Sequence, residues 1–324
     1  MKAIRIHEHG GPDVLRYEDV ETRSLAKGEV LVRNHAAGVN RTDIYARTGF
    51  LGEVSELPAT LGKEGAGEVV AVGEGVTDFA AGDRVAYTET FGAYAEATVV
   101  PAHFLVHLPD AIDFDTAAAS LLKGLTAQYL LRHTFRVEPS QAILYHGAAG
   151  GVGLILTQWA AHLGATVIGT VGSSKKVGLA RANGCHHVID NSREDFVARV
   201  KEITGGEGCH VVYDGVGKDT AQRSLDCLRP RGTYVNFGWA SGPVDAISPM
   251  DLLSKGSLYM TAPSLTQYLD KREDVVANAQ ELFDVIESGA MKVRVFDRLP
   301  LDQAAEAHRV AEGRDVTGAI ILHP

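Results

Sequence analysis

Hydrophobic and polar positions change rhythm twice along this chain. Through the first hundred residues, short alternating runs (MKAIRIHE, EVLVRNHAAGV, AGEVVAVG, DRVAY and GAYAEATVV) are punctuated by glycine, which predicts an all-β, barrel-like domain. From about Phe114, apolar strands alternate with helical stretches. Gln141 to Thr170, QAILYHGAAGGVGLILTQWAAHLGATVIGT, reads as a buried strand from Ala142 to Tyr145, a glycine turn, a helix from Val152 to Leu163 ending at Gly164, and a second strand ending at Val171. HVID with a helix over Glu194 to Thr204, HVVYDGVG with a helix over Asp219 to Leu228, then GTYVNFG and SLYMTA, continue the succession of a doubly wound parallel sheet. Past Pro263 the helix Arg272 to Ser288, the strand VRVFDRLP, the helix Leu301 to Ala311 and the strand AIILHP break the βαβ rhythm. The expectation is an α/β protein whose tail can rejoin the first domain.

The turn AAGGVG, Ala148 to Gly153, carries the first chemistry. Gly150, Gly151 and Val152 open the helix where a pyrophosphate would meet backbone N–H groups, and Gly153 lets the helix pack closely on the sheet. In register with G-x-G-x-x-G the first glycine is Ala148, so the turn alone is a weak match. The strand before it, the helix after it and the second strand supply the context the motif needs. A dinucleotide cofactor is the leading inference, against the plainer alternative of a glycine turn that merely packs a helix.

Composition narrows the class. With 324 residues, 45% of them hydrophobic, the chain is long enough for two globular domains. The N-terminal stretch lacks the apolar core of a signal peptide and no run of eighteen apolar residues occurs, so a cytoplasmic protein with no membrane span is expected. Cys185, Cys209 and Cys227 form no C-x-x-C pair, which fits buried thiols in a reducing compartment. A net charge of -10 argues against nucleic acid as the main partner. No internal repeat or low-complexity tract is visible.

Several further motifs, in this order, complete the pattern: HGGPDVL, GVNRTDIYARTG, AGDRVAY, LLKGLTAQYLL, HGAAGGVG, VVYDGVGKDT, SLDCLRPRG, GSLYMTAPSL and TGAIILHP. Together they resemble, nearly end to end, the zinc-independent, zeta-crystallin-like quinone oxidoreductase branch of the medium-chain dehydrogenase/reductase superfamily. The resemblance implies a GroES-like catalytic domain of residues 1–120 and 263–324, with a Rossmann dinucleotide-binding domain, residues 121–262, inserted between. It further implies hydride transfer from NADPH to a quinone, by a homodimer that pairs the GSLYMTA strands. Reduction of α,β-unsaturated ketones or aldehydes is a close alternative. A low-turnover NADPH-binding protein, crystallin-like or RNA-associated, is the alternative from another class.

Zinc-dependent relatives place a cysteine and a histidine where this chain has Asn40 and Lys63, and their cysteine-rich lobe is missing. An amide is a poor zinc ligand and an ammonium is none, so no metal is expected. Pairs such as His186 and His187 lack helical i, i+4 partners or nearby cysteines. Without a Lewis acid the substrate must itself accept a hydride readily, as quinones and activated enones do. By resemblance Asn40, Asp43 and Tyr45 line the cleft below the nicotinamide, Thr126 and Tyr129 reach it, and Lys63 stands near the former metal site. Asn40 and Tyr45 are the candidates for orienting the substrate. The plainer reading makes Asn40 and Asp43 caps of a short helix over Ile44 to Arg47 and Tyr45 a wall residue.

Coenzyme contacts carried over by resemblance also include Arg41, Gly215, Phe237, Gly238, Ala240, Pro263, Ser264 and Leu265. Three positions depart from the family's pattern: Trp239 after Phe237 and Gly238, Asn191 in place of a frequent tyrosine, and Leu51 where a second cleft tyrosine is common. Trp239 changes volume and polarity together and puts the substrate range in question. NAD enzymes commonly carry an acidic residue about twenty positions beyond the glycine loop. This chain instead has Gly172, Ser173, Ser174, Lys175 and Lys176, which offer hydroxyls, N–H groups and cations to a phosphate. NADPH is therefore expected over NADH, with Lys176 facing the 2′-phosphate and Arg314 closing over the adenosine by family resemblance. The plainer reading has Ser174 capping the next helix.

Overall fold

The alternating runs and the βαβ succession become two separate bodies of structure in a computed structural model that describes residues 1–52, 54 and 56–324. Glu53, Ser55 and the side chain of Leu51 lie outside the described residues, and with them the expectation about Leu51. One unit comprises Met1–Leu125, Leu269–Glu287 and Val293–Pro324; the other comprises Thr126–Tyr268 and Ser288–Lys292.

In the first unit, Glu29–Val39 is the long central strand. Its Val30, Val32 and Asn34 are buried and alternate with half-buried or exposed neighbours, as a half-buried antiparallel strand requires. It pairs with Glu64–Val72 and Ala97–Pro101. At its far end the C-terminal strand Ala319–His323 joins it antiparallel, Ile321 opposite Gly38 and Leu322 opposite Ala37. Among the described residues the sheet has seven strands, and Val32, Leu61, Val85, Leu105 and Leu322 belong to the core of this unit. Gly38 has no room for a side chain, because a Cβ there would sit 2.2 Å from the Ala118 carbonyl oxygen.

In the second unit six parallel strands run in the order His187–Asp190, Thr166–Val171, Ala142–His146, Cys209–Asp214, Leu228–Asn236 and Tyr259–Thr261, counted among the described residues. That is strand order 3-2-1-4-5-6, the doubly wound nucleotide-binding arrangement, whose switch point falls between the first and fourth strands. Leu144, Ile168, Val212 and Tyr234 fill part of its core.

In this unit two helices differ most from the expectation. The one starting at Glu194 begins instead at Phe196, because the Asp195 side chain accepts from the N–H groups of Val197 and Ala198 and so fixes the cap there. The helix expected over Asp219 to Leu228 shrinks to Ala221–Ser224 and a 3-10 turn, Leu225–Cys227. Pro230 favours extended backbone just before it, and the next strand begins at Leu228.

Candidate active site

The helix Gly151–His162 starts at the C-terminal end of the first parallel strand, with Gly150 as N-cap and no side chain supplying the cap. Its first-turn N–H groups thus suit an external anion. A Cβ at Gly153 would lie 2.5 Å from the Gly147 carbonyl oxygen, so glycine is required for the helix to pack this closely. Ala148, the odd residue in the motif, is compensated on both sides. Gly147 takes the left-handed conformation (φ +81°) one position earlier, and Gly169 opposite leaves space for the Ala148 methyl, since a Cβ there would come within 2.7 Å of it. The arrangement is a cradle that side chains would fill, and a pyrophosphate fits it.

The second strand ends at Val171, which is in register with Asp190 on the third strand. After it, Gly172 is exposed and Ser173 starts a 3-10 turn over Ser174–Lys176 that runs into the helix Val177–Ala182. The N-cap of that turn is Ser173. Ser174 does not cap the helix; its hydroxyl donates to Asp190 Oδ2 at 2.5 Å. Hydrogen bonds from Ser174 and Ser192 hold the Asp190 carboxyl below the usual carboxylate range. The Asn191 side chain is exposed, while its backbone N–H donates to the Val171 carbonyl at 2.9 Å.

At the ends of the fourth and fifth strands two loops pack back to back. A Cβ at Gly215 would come within 2.9 Å of the Phe237 ring, and one at Gly238 within 3.0 Å of the Gly215 carbonyl oxygen. Asp214 organises the first loop by accepting from the N–H groups of Val216 and Gly217, and the Ala240 N–H reaches back to the Gly215 carbonyl. Trp239 is half-buried beside them. Pro263 and Ser264 follow the sixth strand and lead into the short helix at Leu265. In the same unit Thr126 is buried, and Tyr129 stacks on Tyr268 with ring centroids 4.5 Å apart.

The barrel unit holds a buried polar cluster. The helix Arg41–Thr48 is longer than expected, with Asn40 as N-cap and Gly49 (φ +74°) ending it. Arg41 is exposed at its first position and Tyr45 packs edge-on against Phe50, 5.1 Å between centroids. Asp43 is wholly buried, accepting from the Asn40 backbone N–H (2.8 Å) and the Tyr94 hydroxyl (3.0 Å) on Oδ2. The structure therefore gives Asp43 the capping geometry that was the plainer of its two readings. Burial pushes its carboxyl up to about 7, against the pull of these hydrogen bonds. Tyr94 also meets His308 Nε2 at 3.1 Å, while Arg47 Nη1 meets His308 Nδ1 at 3.2 Å. An arginine can only donate, so Nδ1 is the accepting nitrogen and Nε2 carries the hydrogen. Burial and the Arg47 charge push His308 down to about 3.

Asn40 spends its amide inside the cluster. Nδ2 donates to Glu64 Oε2 at 2.8 Å and approaches the Gly38 carbonyl at 3.4 Å, while the side chain also forms the reciprocal half of a capping box with the Asp43 backbone N–H. A carboxylate only accepts, which fixes that orientation. Glu64, fully buried, takes the Leu122 N–H at 2.7 Å and the Lys123 ammonium at 3.0 Å. Lys63 instead pairs with Glu89 at 3.6 Å and lies over the Phe91 ring. The ammonium beside the Asn40–Glu64 pair is thus that of Lys123, a residue sequence reasoning passed over although LLKGLTAQYLL stood in view. Arg314 is exposed, in the loop before the last strand. No group of three or more His, Cys, Asp or Glu among the described residues is placed to hold a metal, and no helix there is long and apolar enough to cross a membrane.

Comparison with known proteins bears on the whole chain. The model for zinc-binding dehydrogenases matches residues 151–283, and that for the alcohol dehydrogenase GroES-like domain matches residues 26–110. The quinone oxidoreductase of Pseudomonas aeruginosa is 50% identical, over 100% of this chain and 99% of that one. The 2-haloacrylate reductase of a Burkholderia species is 46% identical over the same shares. Among solved structures, Escherichia coli quinone oxidoreductase complexed with NADPH matches with a TM-score of 0.97 and 46% identity, covering 100% of both chains. With likeness of this degree from end to end, the chain belongs to the quinone oxidoreductase family of the medium-chain dehydrogenase/reductase superfamily.

Proposed function

We propose that this protein transfers hydride from NADPH to a quinone without zinc, as a cytoplasmic homodimer. The observation that carries the reading is the donor set around Asn40: an amide whose N–H groups are given to Glu64 and Gly38, and an ammonium, Lys123, on the same carboxylate. Neither an amide nitrogen nor an ammonium ligates zinc, and Lys63 offers another ammonium. The acceptor must then take a hydride unaided, which selects quinones and activated enones. NADPH supplies that hydride when bound. The parallel-sheet unit serves as the coenzyme domain and the barrel unit as the catalytic one.

Within this reading each residue has a defined task. The turn from Gly150 to Gly153 receives the pyrophosphate, and Gly172, Ser173 and Lys176 receive the 2′-phosphate. Gly215, Phe237, Gly238, Ala240, Pro263, Ser264 and Leu265 form the remaining wall, with Thr126 and Tyr129 toward the nicotinamide. Asn40, a substrate-orienting residue in this reading, is itself held in place by Glu64, the Gly38 carbonyl and its capping box with Asp43. Stabilising charge on the reduced oxygen needs a donor, which leaves that task to the Tyr45 hydroxyl.

The 46% identity to a 2-haloacrylate reductase favours a second reading, reduction of an activated alkene. Steady-state NADPH oxidation with 1,4-benzoquinone, 9,10-phenanthrenequinone and 2-chloroacrylate separates the two. Turnover of the quinones, unchanged by a chelator and with no stoichiometric zinc by elemental analysis, is expected. A preference for the chloroacrylate selects the second reading, and no oxidation with any of the three overturns both. The dimer is supported by the edge strand Tyr259–Thr261, where Tyr259 is 61% and Met260 39% exposed. A bare apolar edge invites pairing. Met260→Lys should give monomer by light scattering, and an unchanged dimer would place the interface elsewhere. Three buried free thiols, Cys185, Cys209 and Cys227, support a reducing compartment.

A further inference from the structure

Asp190 sits where the coenzyme turn begins, and its two oxygens have different partners. Oδ2 accepts from the Ser174 hydroxyl at 2.5 Å; Oδ1 accepts from the Ser192 N–H at 3.0 Å and the Ser192 hydroxyl at 2.6 Å. The residue is 4% exposed, and register with Val171 fixes its backbone beside the turn. An ionised carboxylate has no hydrogen to give, so the hydrogen of Ser174 must point at Asp190. What Ser174 then offers outward is a lone pair. A ribose 2′-hydroxyl can donate to that lone pair. A 2′-phosphate, which carries only acceptor oxygens and about two negative charges, cannot, and it also meets the charge of Asp190 behind the hydroxyl.

We propose that Asp190 is a specificity-determining residue: by holding Ser174 as an acceptor it opposes Lys176 and restrains the preference for NADPH over NADH. This rests on the reading of Gly172–Lys176 as the 2′-phosphate turn. Asp190 touches neither coenzyme in this account; it positions Ser174.

An asparagine at this place would reverse the polarity. The Ser192 N–H demands an acceptor on its side, which turns the amide oxygen there and the NH2 toward Ser174. Ser174 would then accept from that NH2 and be free to donate its own hydrogen to a phosphate, while a negative charge is removed.

The test is fluorescence titration of the purified protein with NADPH and with NADH, a binding readout independent of turnover, on the wild type and on Asp190→Asn, Ser174→Ala, the double variant and Lys176→Ala. Asp190→Asn is expected to tighten NADPH about five- to tenfold and change NADH less than twofold. Adding Ser174→Ala should remove much of that gain, whereas Ser174→Ala alone should leave NADPH binding unchanged or tighter. If Asp190→Asn weakens NADPH, leaves it unchanged or shifts both coenzymes alike, the proposal is overturned. A gain fully retained in the double variant, which would mean charge alone, overturns the hydroxyl mechanism. Should Lys176→Ala weaken neither coenzyme, the turn is not a phosphate site and the underlying reading falls with the proposal.

Discussion

The two units build their sites from different material. In the parallel-sheet unit, the proposed anion site is backbone: Gly147, Ala148, Gly150 and Gly153 stand within one turn of sequence, and what each contributes is conformation or the absence of a Cβ. In the barrel unit the cluster is made of side chains brought from far apart. Asn40 and Lys123 meet on Glu64 across 24 and 59 residues, and Asp43 reaches His308 through Tyr94 across 51 and 214. Backbone sites tolerate neighbours of many kinds, provided space is kept. Buried charges tolerate little, because each group has left water and depends on a particular partner.

The comparison breaks most readily at Lys123. Lys123→Met strands the fully buried Glu64 carboxylate and should cost about 3–5 kcal/mol in chemical denaturation. Glu64→Gln combined with Lys123→Met should recover most of that loss; an additive double variant would mean that the two groups do not act as a pair.

A smaller effect is expected in the other unit. Gly153→Ala places a methyl 2.5 Å from the Gly147 carbonyl oxygen, so the turn must shift. A loss of about 1–3 kcal/mol in stability, with weaker NADPH binding, is expected. Normal stability and binding would mean that the helix has room to move away.

Lys176→Ala tests a cation added to a backbone site. Loss of one charged hydrogen bond, about 1.5–3 kcal/mol, should weaken NADPH about ten- to a hundredfold and leave NADH nearly unchanged by titration.

Asp43 and His308 give the smallest and most particular effect. A carboxyl raised to about 7 stays protonated in the folded state while the unfolded chain ionises, so its contribution to stability falls as pH rises from about 4 to 7. His308, lowered to about 3, remains neutral while the unfolded chain takes up a proton, so its contribution rises with pH from about 3 to 6.5. The slopes oppose each other over a shared window. Asp43→Asn should unmask the histidine, giving a stability that climbs between pH 4.5 and 6.5 more steeply than in the wild type. Equal slopes in urea titrations at those two pH values would refute the opposition.

Much of the fold was legible because its signals are local. The glycine turn, the alternation of Glu29–Val39 and the strand–helix succession each lie within a few tens of residues, where period and turn chemistry are readable. Helix limits were less so: Asp195 and Pro230 moved two of them by local hydrogen bonding and backbone restriction that periodicity does not record. The weak point of the motif, Ala148, looked like a defect in one dimension and is a compensated substitution in three, since the space for its methyl comes from Gly169 on the adjacent strand.

Sequence by itself determined the succession of elements, the glycine turn and the absence of cysteine and histidine where zinc-dependent relatives carry them. It also named Asn40, Asp43, Lys63 and Ser174 as residues to watch. Only the tertiary structure decided what those side chains can offer: Asn40 spends its amide on Glu64, Gly38 and the capping box with Asp43, Lys63 turns to Glu89 while Lys123 supplies the buried ammonium, and Ser174 gives its hydrogen to Asp190. The reason is physical. Whether an amide or hydroxyl donates or accepts depends on the partner it meets, and here Glu64 lies 24 residues from Asn40 and Asp190 16 residues from Ser174, on other segments of the chain.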